Sequence, residues 1–252
     1  MMPLSSERGV FARLSVAAIV FVTAAMLSAC ASTQVADESG TPDPYEDWNR
    51  KFYAFNDALD KAILAPAAHA YVEVTPAPMR RGVNNFFDNL AYPEVFINDF
   101  LQGKVEQGFE DVGRFVINST FGLGGLIDFA GGLGFSRNNE DFGQTFAVWG
   151  FDAGAYFDLP FLGPNTARDA SGIPPGTVTN LLFYANSFVT FPLGLLKIVD
   201  QRASLDSAIR IRDETALDPY VFQREAYLQR RRHLIHDGDP PPDDLYTLEP
   251  IR

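Results

Sequence analysis

Residues 43–64 read DPYEDWNRKFYAFNDALDKAIL, and the apolar positions in this stretch decide the fold class. Tyr45, Trp48, Phe52, Phe55, Leu59 and Ile63 recur at spacings of 3, 4, 3, 4 and 4, which draws one stripe along an α-helix and fits no face of a strand. Asp43 suits the N-cap, Pro44 the first helical position, and Glu46 the third residue of a capping box. Pro66 lacks a backbone N–H and is expected to end the helix.

The same pattern repeats downstream. After TPAP (75–78), Met79, Val83, Phe86, Phe87 and Leu90 outline a second helix. Pro93 is expected to open a third, PEVFINDFLQ, capped by Gly103, and Val105, Phe109, Val112 and Val116 carry a fourth stripe. DFGQTFAVWG (141–150) has an N-cap followed by Phe142, Phe146 and Trp149 on one face. AYFDLPFLGP (155–164) reads as extended or irregular, and TARDASG (166–172) as a single turn. Residues 170–196 carry no charge, yet Pro174, Pro175, Gly176, Asn180, Asn186, Pro192 and Gly194 dilute them, so the expectation is apolar helices interrupted by prolines and lying against a bilayer. The last helix, ALDPYVFQREAYLQRRRHLI (216–235), starts with Asp-Pro and ends in arginines that suit its dipole; the run 230–232 reads first as a solvated face. Strand signals are weak, and the class is all-α.

The N-terminus reads as an address. Arg8 and Arg13 precede the uncharged run LSVAAIVFVTAAML, which is shorter than the roughly 20 apolar residues a spanning helix needs. This is the pattern of a secretory signal peptide, residues 1–29. Leu27-Ser28-Ala29-Cys30 is a lipobox, with the small Ser28 and Ala29 before the single cysteine of the chain, so Cys30 is expected to carry the lipid anchor. Residues 30–42 form a polar tether, 43–236 the helical domain, and 237–252 an acidic, proline-rich tail expected to be disordered. Ala31, where aspartate would favour retention at the inner membrane, directs the expectation to the outer membrane of a diderm bacterium.

Composition narrows the function. A net charge of −12 argues against nucleic acid as a partner. One cysteine allows no internal disulfide, and 22 phenylalanines supply apolar area for a core or for lipid. No GxSxG, HExxH or Walker lysine is present, so no catalytic residues and no cofactor are expected. His69 stands alone. His233 and His236 are spaced for a shared metal but sit beside arginines at a helix end, where a solvated terminus is the expectation and a metal site is not. FGLGGLIDFAGGLGF (121–135) combines glycine flexibility with grease, unlike a phosphate-binding loop, and points to a segment that moves in contact with lipid.

DPYEDWNRKFYAFN, NSTFGLGGLIDFA, DFGQTFAVWG, YFDLPFLGP with TARD, and LDPYVFQREAYLQRR together resemble the MlaA (VacJ) family of outer-membrane lipoproteins, in order, over residues 43–235. Departures from the family lie in the tether and in the proline-rich acidic tail, whose partner contacts are not carried over, and Trp48 stands where the family more often has Phe. The resemblance implies a helical ring embedded in the periplasmic leaflet around a central polar channel, associated with a porin trimer. Such a protein passes phospholipids misplaced in the outer leaflet to a soluble periplasmic carrier and so keeps the membrane asymmetric. Beside such a channel, the stretch from Gly122 to Gly134 is expected to form a mobile apolar hairpin. Gly122, Gly124, Gly125, Gly131, Gly132 and Gly134 would permit motion, Leu123, Leu126, Ile127 and Phe129 would touch lipid, and Asp128 would point to water. Arg80, Arg81, Arg114 and Arg137 are the candidates to meet the phosphate, and sequence does not choose among them. A structural or adhesion lipoprotein and a phospholipid-modifying enzyme are the alternatives.

Overall fold

A computed structural model describes residues 43–241; the signal peptide, Cys30, the tether and most of the tail lie outside the described residues. The elements in order are helix α1 (Glu46–Leu59), a π-helical turn (Asp60–Leu64), α2 (Ala65–Val74), α3 (Ala77–Leu101), α4 (Val105–Thr120), α5 (Phe129–Gly132), α6 (Phe142–Val148), strands β1 (Tyr156–Leu159) and β2 (Gly163–Thr166), α7 (Ala167–Thr179), a 3₁₀ turn (Leu181–Tyr184), α8 (Ser187–Ser204), α9 (Asp206–Thr215) and α10 (Pro219–Ile235). The class is all-α, with one small hairpin.

Several helices run further than their prolines predict. Pro66 does not end the first helix; α1 passes through the π turn into α2. The widened turn ends on a bond from the Ala65 N–H to the Asp60 carbonyl, directly before the residue that cannot donate. Pro93 opens no new helix and lies buried inside the 25-residue α3. TARDASG is the start of the 13-residue α7 rather than a single turn, and Pro174 and Pro175 lie inside it. Each proline removes one hydrogen bond, and tertiary packing holds the helix across the gap. The interruptions in the uncharged stretch fall instead at Asn180 and Asn186, whose side-chain oxygens accept from the Leu182 and Phe188 amides at 2.9 Å. At the other end the expected Asp43 cap is displaced: α1 begins at Glu46 with Tyr45 in the cap position and no side-chain cap bond.

Other local signals hold. Gly103 (φ 81°) ends α3 in a Schellman motif, with Gly103 N–H on the Phe100 carbonyl at 3.1 Å and Lys104 N–H on the Asp99 carbonyl at 2.9 Å. Asp218 caps α10 through the amides of Tyr220 and Val221.

The extended 155–164 segment becomes an antiparallel hairpin, with Tyr156 opposite Thr166 and Leu159 opposite Gly163. Its outer edge is completed by side chains of α1. The Asn49 amide donates to the Tyr156 carbonyl at 3.0 Å and accepts from the Asp158 N–H at 3.0 Å. Seven residues later, on the same helix face, Asn56 donates to the Leu159 carbonyl and accepts from the Phe161 N–H at the turn. A two-stranded hairpin is too small to stand alone, and these asparagines take the place of a third strand.

The interior is inverted. Among the described residues seventeen polar or charged side chains are buried, against eight apolar or aromatic ones, Pro93 included. Helix α4 shows why: Gly108, Asp111, Arg114 and Asn118 face inward, while Val105, Phe109 and Val116 are exposed. In α1 it is Asn49 that is buried and Trp48 that is 60% exposed. Ion pairs stitch distant helices together, among them Arg202 of α8 to Asp60 at 2.6 Å and Arg212 of α9 to Asp57 at 3.0 Å. Arg231, expected on a solvated face, is turned inward from α10 onto Asp141 and Asp169. Tyr227, one turn earlier, donates to Asp169 at 2.6 Å.

Candidate lipid-handling site: a polar cavity and its glycine-rich wall

A cavity of about 980 Å³ opens between α2, the first turns of α3 and the end of α8. Its lining is mostly ionisable or amide side chains: His69 and Glu73 from α2, Arg80, Arg81, Asn84 and Asn85 from α3, Asp200 from α8, and Asp128 and Arg137 from the glycine-rich wall and the loop after it. Helical spacing explains the set. Residues 69 and 73, and 77, 81 and 84, lie three or four apart and fall on one face each.

The glycine-rich wall is a tight structure. Asp128, expected to point to water, does face the cavity and is also held from behind: Arg114 contacts both its oxygens at 2.7 Å, and the Asn118 amide and Gly131 N–H add bonds of 3.1 and 3.0 Å. Burial alone would raise the Asp128 carboxyl, but the Arg114, Gly131 and Asn118 bonds hold it below its ordinary range. Asn118 in turn accepts from the Ala130 N–H at 2.8 Å, and Arg114 donates to the Phe135 carbonyl at 2.8 Å. The far side rests on α3. Asn89 donates to Ser119 and to the Gly124 carbonyl, and Gly125, at φ 97°, lies so close to Asn89 that a Cβ would come within 2.3 Å of its side chain. Only glycine satisfies both the backbone angle and that approach.

The residues of this wall divide by role. Leu123, Leu126, Ile127, Phe129 and Leu133 are exposed and form an apolar outer surface. Gly122 and Gly131 are tightly packed, against the Ile127 and Asn118 carbonyls and the Asp128 carboxylate respectively, whereas Gly124, Gly132 and Gly134 face open space.

The four arginine candidates are now distinct. Arg114 is buried and committed to Asp128. Arg80 donates to the Val72 and Thr75 carbonyls at 3.0 and 2.6 Å, capping the end of α2. Arg137 pairs with Asp88. Arg81 is exposed at the cavity and makes no ion pair or hydrogen bond among the described residues. Of the histidines, His69 contacts Asp206 at 3.3 Å and His236 Nδ1 meets the Arg232 carbonyl at 2.8 Å. Among the described residues no three acidic, histidine or cysteine side chains converge as a metal site would require.

Sequence reasoning missed the cavity's acids and amides, which belong to no motif. It also missed a buried pair between α3 and α4: Asp99 and Asp111 are both fully buried, and the Asp99 Oδ2 atom has no donor. Tyr92 and Asn138 donate to Asp111, and Gln107 to Asp99.

Known proteins carry the same pattern. The family described as MlaA lipoprotein matches residues 41–234. The intermembrane phospholipid transport system lipoprotein MlaA of Shigella flexneri is 36% identical over 236 residues, 90% of this chain and 91% of the relative. The protein of that name from Escherichia coli K12 is 35% identical over the same shares, and that from Haemophilus influenzae 35% identical over 89% and 96%. A solved structure described as the structural basis for maintenance of bacterial outer membrane lipid asymmetry aligns with TM-score 0.69 and 34% identity, over 77% of this chain and 99% of that one. This chain belongs to the MlaA lipoprotein family.

Proposed function

We propose that this chain is an outer-membrane lipoprotein that draws mislocalised phospholipids from the outer leaflet through a polar channel and hands them to a soluble periplasmic carrier, maintaining lipid asymmetry. The observation that carries the reading is the inverted interior: large apolar side chains outside, charged and amide side chains inside. Phe183, Tyr184, Phe188 and Phe191 crowd the 3₁₀ turn and the start of α8, with Phe188 91% exposed. Each such side chain is stabilised by about 2 kcal/mol when water is replaced by hydrocarbon. Among the described residues no helix is long and apolar enough to cross a membrane, which fits helices lying in one leaflet.

The physical problem is the headgroup. Passing a charged phosphate through hydrocarbon costs tens of kcal/mol without polar partners, whereas the acyl chains belong there. A ring of helices apolar outward and polar inward separates the two parts of one molecule. The glycine-rich wall, with leucines and phenylalanines outside and Asp128 at the cavity, sits where those environments meet, and in this reading it is the hairpin beside the pathway. Residues 1–29 direct export, acylated Cys30 anchors the chain, and each buried methylene of the anchor adds about 0.8 kcal/mol. A porin trimer and a periplasmic carrier complete the route. No nucleotide-binding motif is present in the sequence, so the energy for transport enters elsewhere.

The test is surface-exposed phospholipid in a deletion strain. Accumulation that the wild-type gene reverses supports transport. Unchanged asymmetry on deletion would instead point to a structural or adhesion role, and release of fatty acid or headgroup from vesicles by the purified chain to an enzyme.

A further inference from the structure

The cavity's charges are not equivalent once their partners are assigned. Asp128 is held by Arg114, Asp200 accepts from the Tyr71 hydroxyl at 2.8 Å, and Asp206 pairs with Arg202 at 3.0 Å and with His69. Arg80 is bound to backbone carbonyls and Arg137 to Asp88. Two charged side chains of the lining make no ion pair or hydrogen bond among the described residues: Arg81 and Glu73, one of each sign, which do not pair with each other either. They stand on opposite sides of the α2–α3 corner that Arg80 braces. Asn84 and Asn85, one turn along α3 from Arg81, likewise line the cavity with side-chain amides that bond to nothing among the described residues.

We propose that this cavity is a binding site for a zwitterionic phosphodiester, with Arg81 meeting the phosphate, Glu73 the amine, and Asn84 and Asn85 the glycerol and ester oxygens. The proposal rests on the transport reading for the source of the ligand, a phospholipid headgroup. The chemistry is direct. An arginine fork matches two phosphate oxygens, a carboxylate matches an ammonium, and amides donate to uncharged oxygens. A free anion would need Arg81 alone; the unpaired acid in the same cavity favours a ligand carrying both charges. Arg80 is a positioning residue, holding the corner from which Glu73 and Arg81 project.

Binding of dihexanoyl phosphatidylethanolamine, dihexanoyl phosphatidylglycerol and inorganic phosphate to the purified full-length lipoprotein in nanodiscs tests this. Arg81→Gln is expected to weaken both short-chain lipids by about tenfold, the scale of one charge-assisted contact, with Arg81→Lys recovering part of the loss. Glu73→Gln is expected to abolish the preference for the ethanolamine lipid and leave the glycerol lipid unchanged. Arg210→Gln, on the exposed face of α9, serves as the control. Lipid binding by Arg81→Gln within twofold of wild type overturns the assignment, and so does inorganic phosphate competing as well as the lipids. Loss of binding in both Arg81 variants together with a lost helical circular dichroism signal would mark misfolding; Glu73→Gln then decides, its unchanged lipid preference overturning the proposal. A wild-type gene that fails to restore asymmetry defeats the transport reading alone, because the binding comparison stands apart from it.

Discussion

The guanidinium of Arg114 in α4 contacts both carboxylate oxygens of Asp128 at 2.7 Å, and this pair ties the glycine-rich loop to α4. Arg114 is buried and Asp128 is about one third exposed, so one end of the bridge is dry and the other faces the cavity. Asp128 also caps the short α5 through the Gly131 amide. Any motion of the hairpin has to break or carry this bridge.

Asp128→Ala is therefore expected to loosen the wall and to destabilise the protein by about 2 kcal/mol, since it strands a buried guanidinium. Hydrogen exchange at the Ala130 and Gly131 amides should accelerate, while exchange in α10 stays unchanged.

The hairpin's edge makes a second prediction. Asn49→Ala removes the partners of the Tyr156 carbonyl and the Asp158 amide, both at a buried position, and is expected to cost about 2 to 3 kcal/mol in thermal unfolding. Asn56→Ala, on the more exposed turn, is expected to cost less.

The buried acids give stability a pH dependence. Burial first, then the neighbouring Asp111 carboxylate, push the Asp99 carboxyl up to about 8 from an ordinary value near 3.8. A folded-state value above the unfolded one means that the stabilisation is fully present below pH 3.8, declines as the unfolded chain ionises, and is lost by the time pH passes 8. Asp99→Asn, which keeps the shape without the charge, should raise the melting temperature relative to wild type at pH 8 to 9, and the difference should shrink toward pH 4.

The outward phenylalanines predict membrane affinity independent of the anchor. In a chain lacking the signal peptide and carrying Cys30→Ser, Phe188→Asp and Phe191→Asp should each reduce flotation with phospholipid vesicles by at least about tenfold. Equal flotation of wild type and variants would mean that these rings pack against protein in solution.

Short-range chemistry was readable in advance, and the proline signals show where that reading stops. The stripe from Tyr45 to Ile63, the Gly103 cap and the Asp218 cap are local patterns, and the folded chain uses each of them. Pro66, Pro93 and Pro174 carry equally strong local signals and are overridden. Pro93 is the clearest case: its loss of one bond is outweighed by packing of the 25-residue α3 against α4 and the helices around it. Asn49, a residue of poor helix propensity in a polar stretch, gives no hint that it completes a sheet edge 107 residues away.

From its sequence alone this chain reads as helical, with more grease than a small core can hold and with a leader and a cysteine that carry the expectation of export and acylation, because helix periodicity, caps and the residues around Cys30 are patterns written within a few residues of one another. Which arginine is free was settled only by folding. Arg80, Arg81, Arg114 and Arg137 look alike as letters, and their partners lie up to 49 residues away. Charge at a site is what remains after such distant pairings are made, and only the tertiary structure makes them.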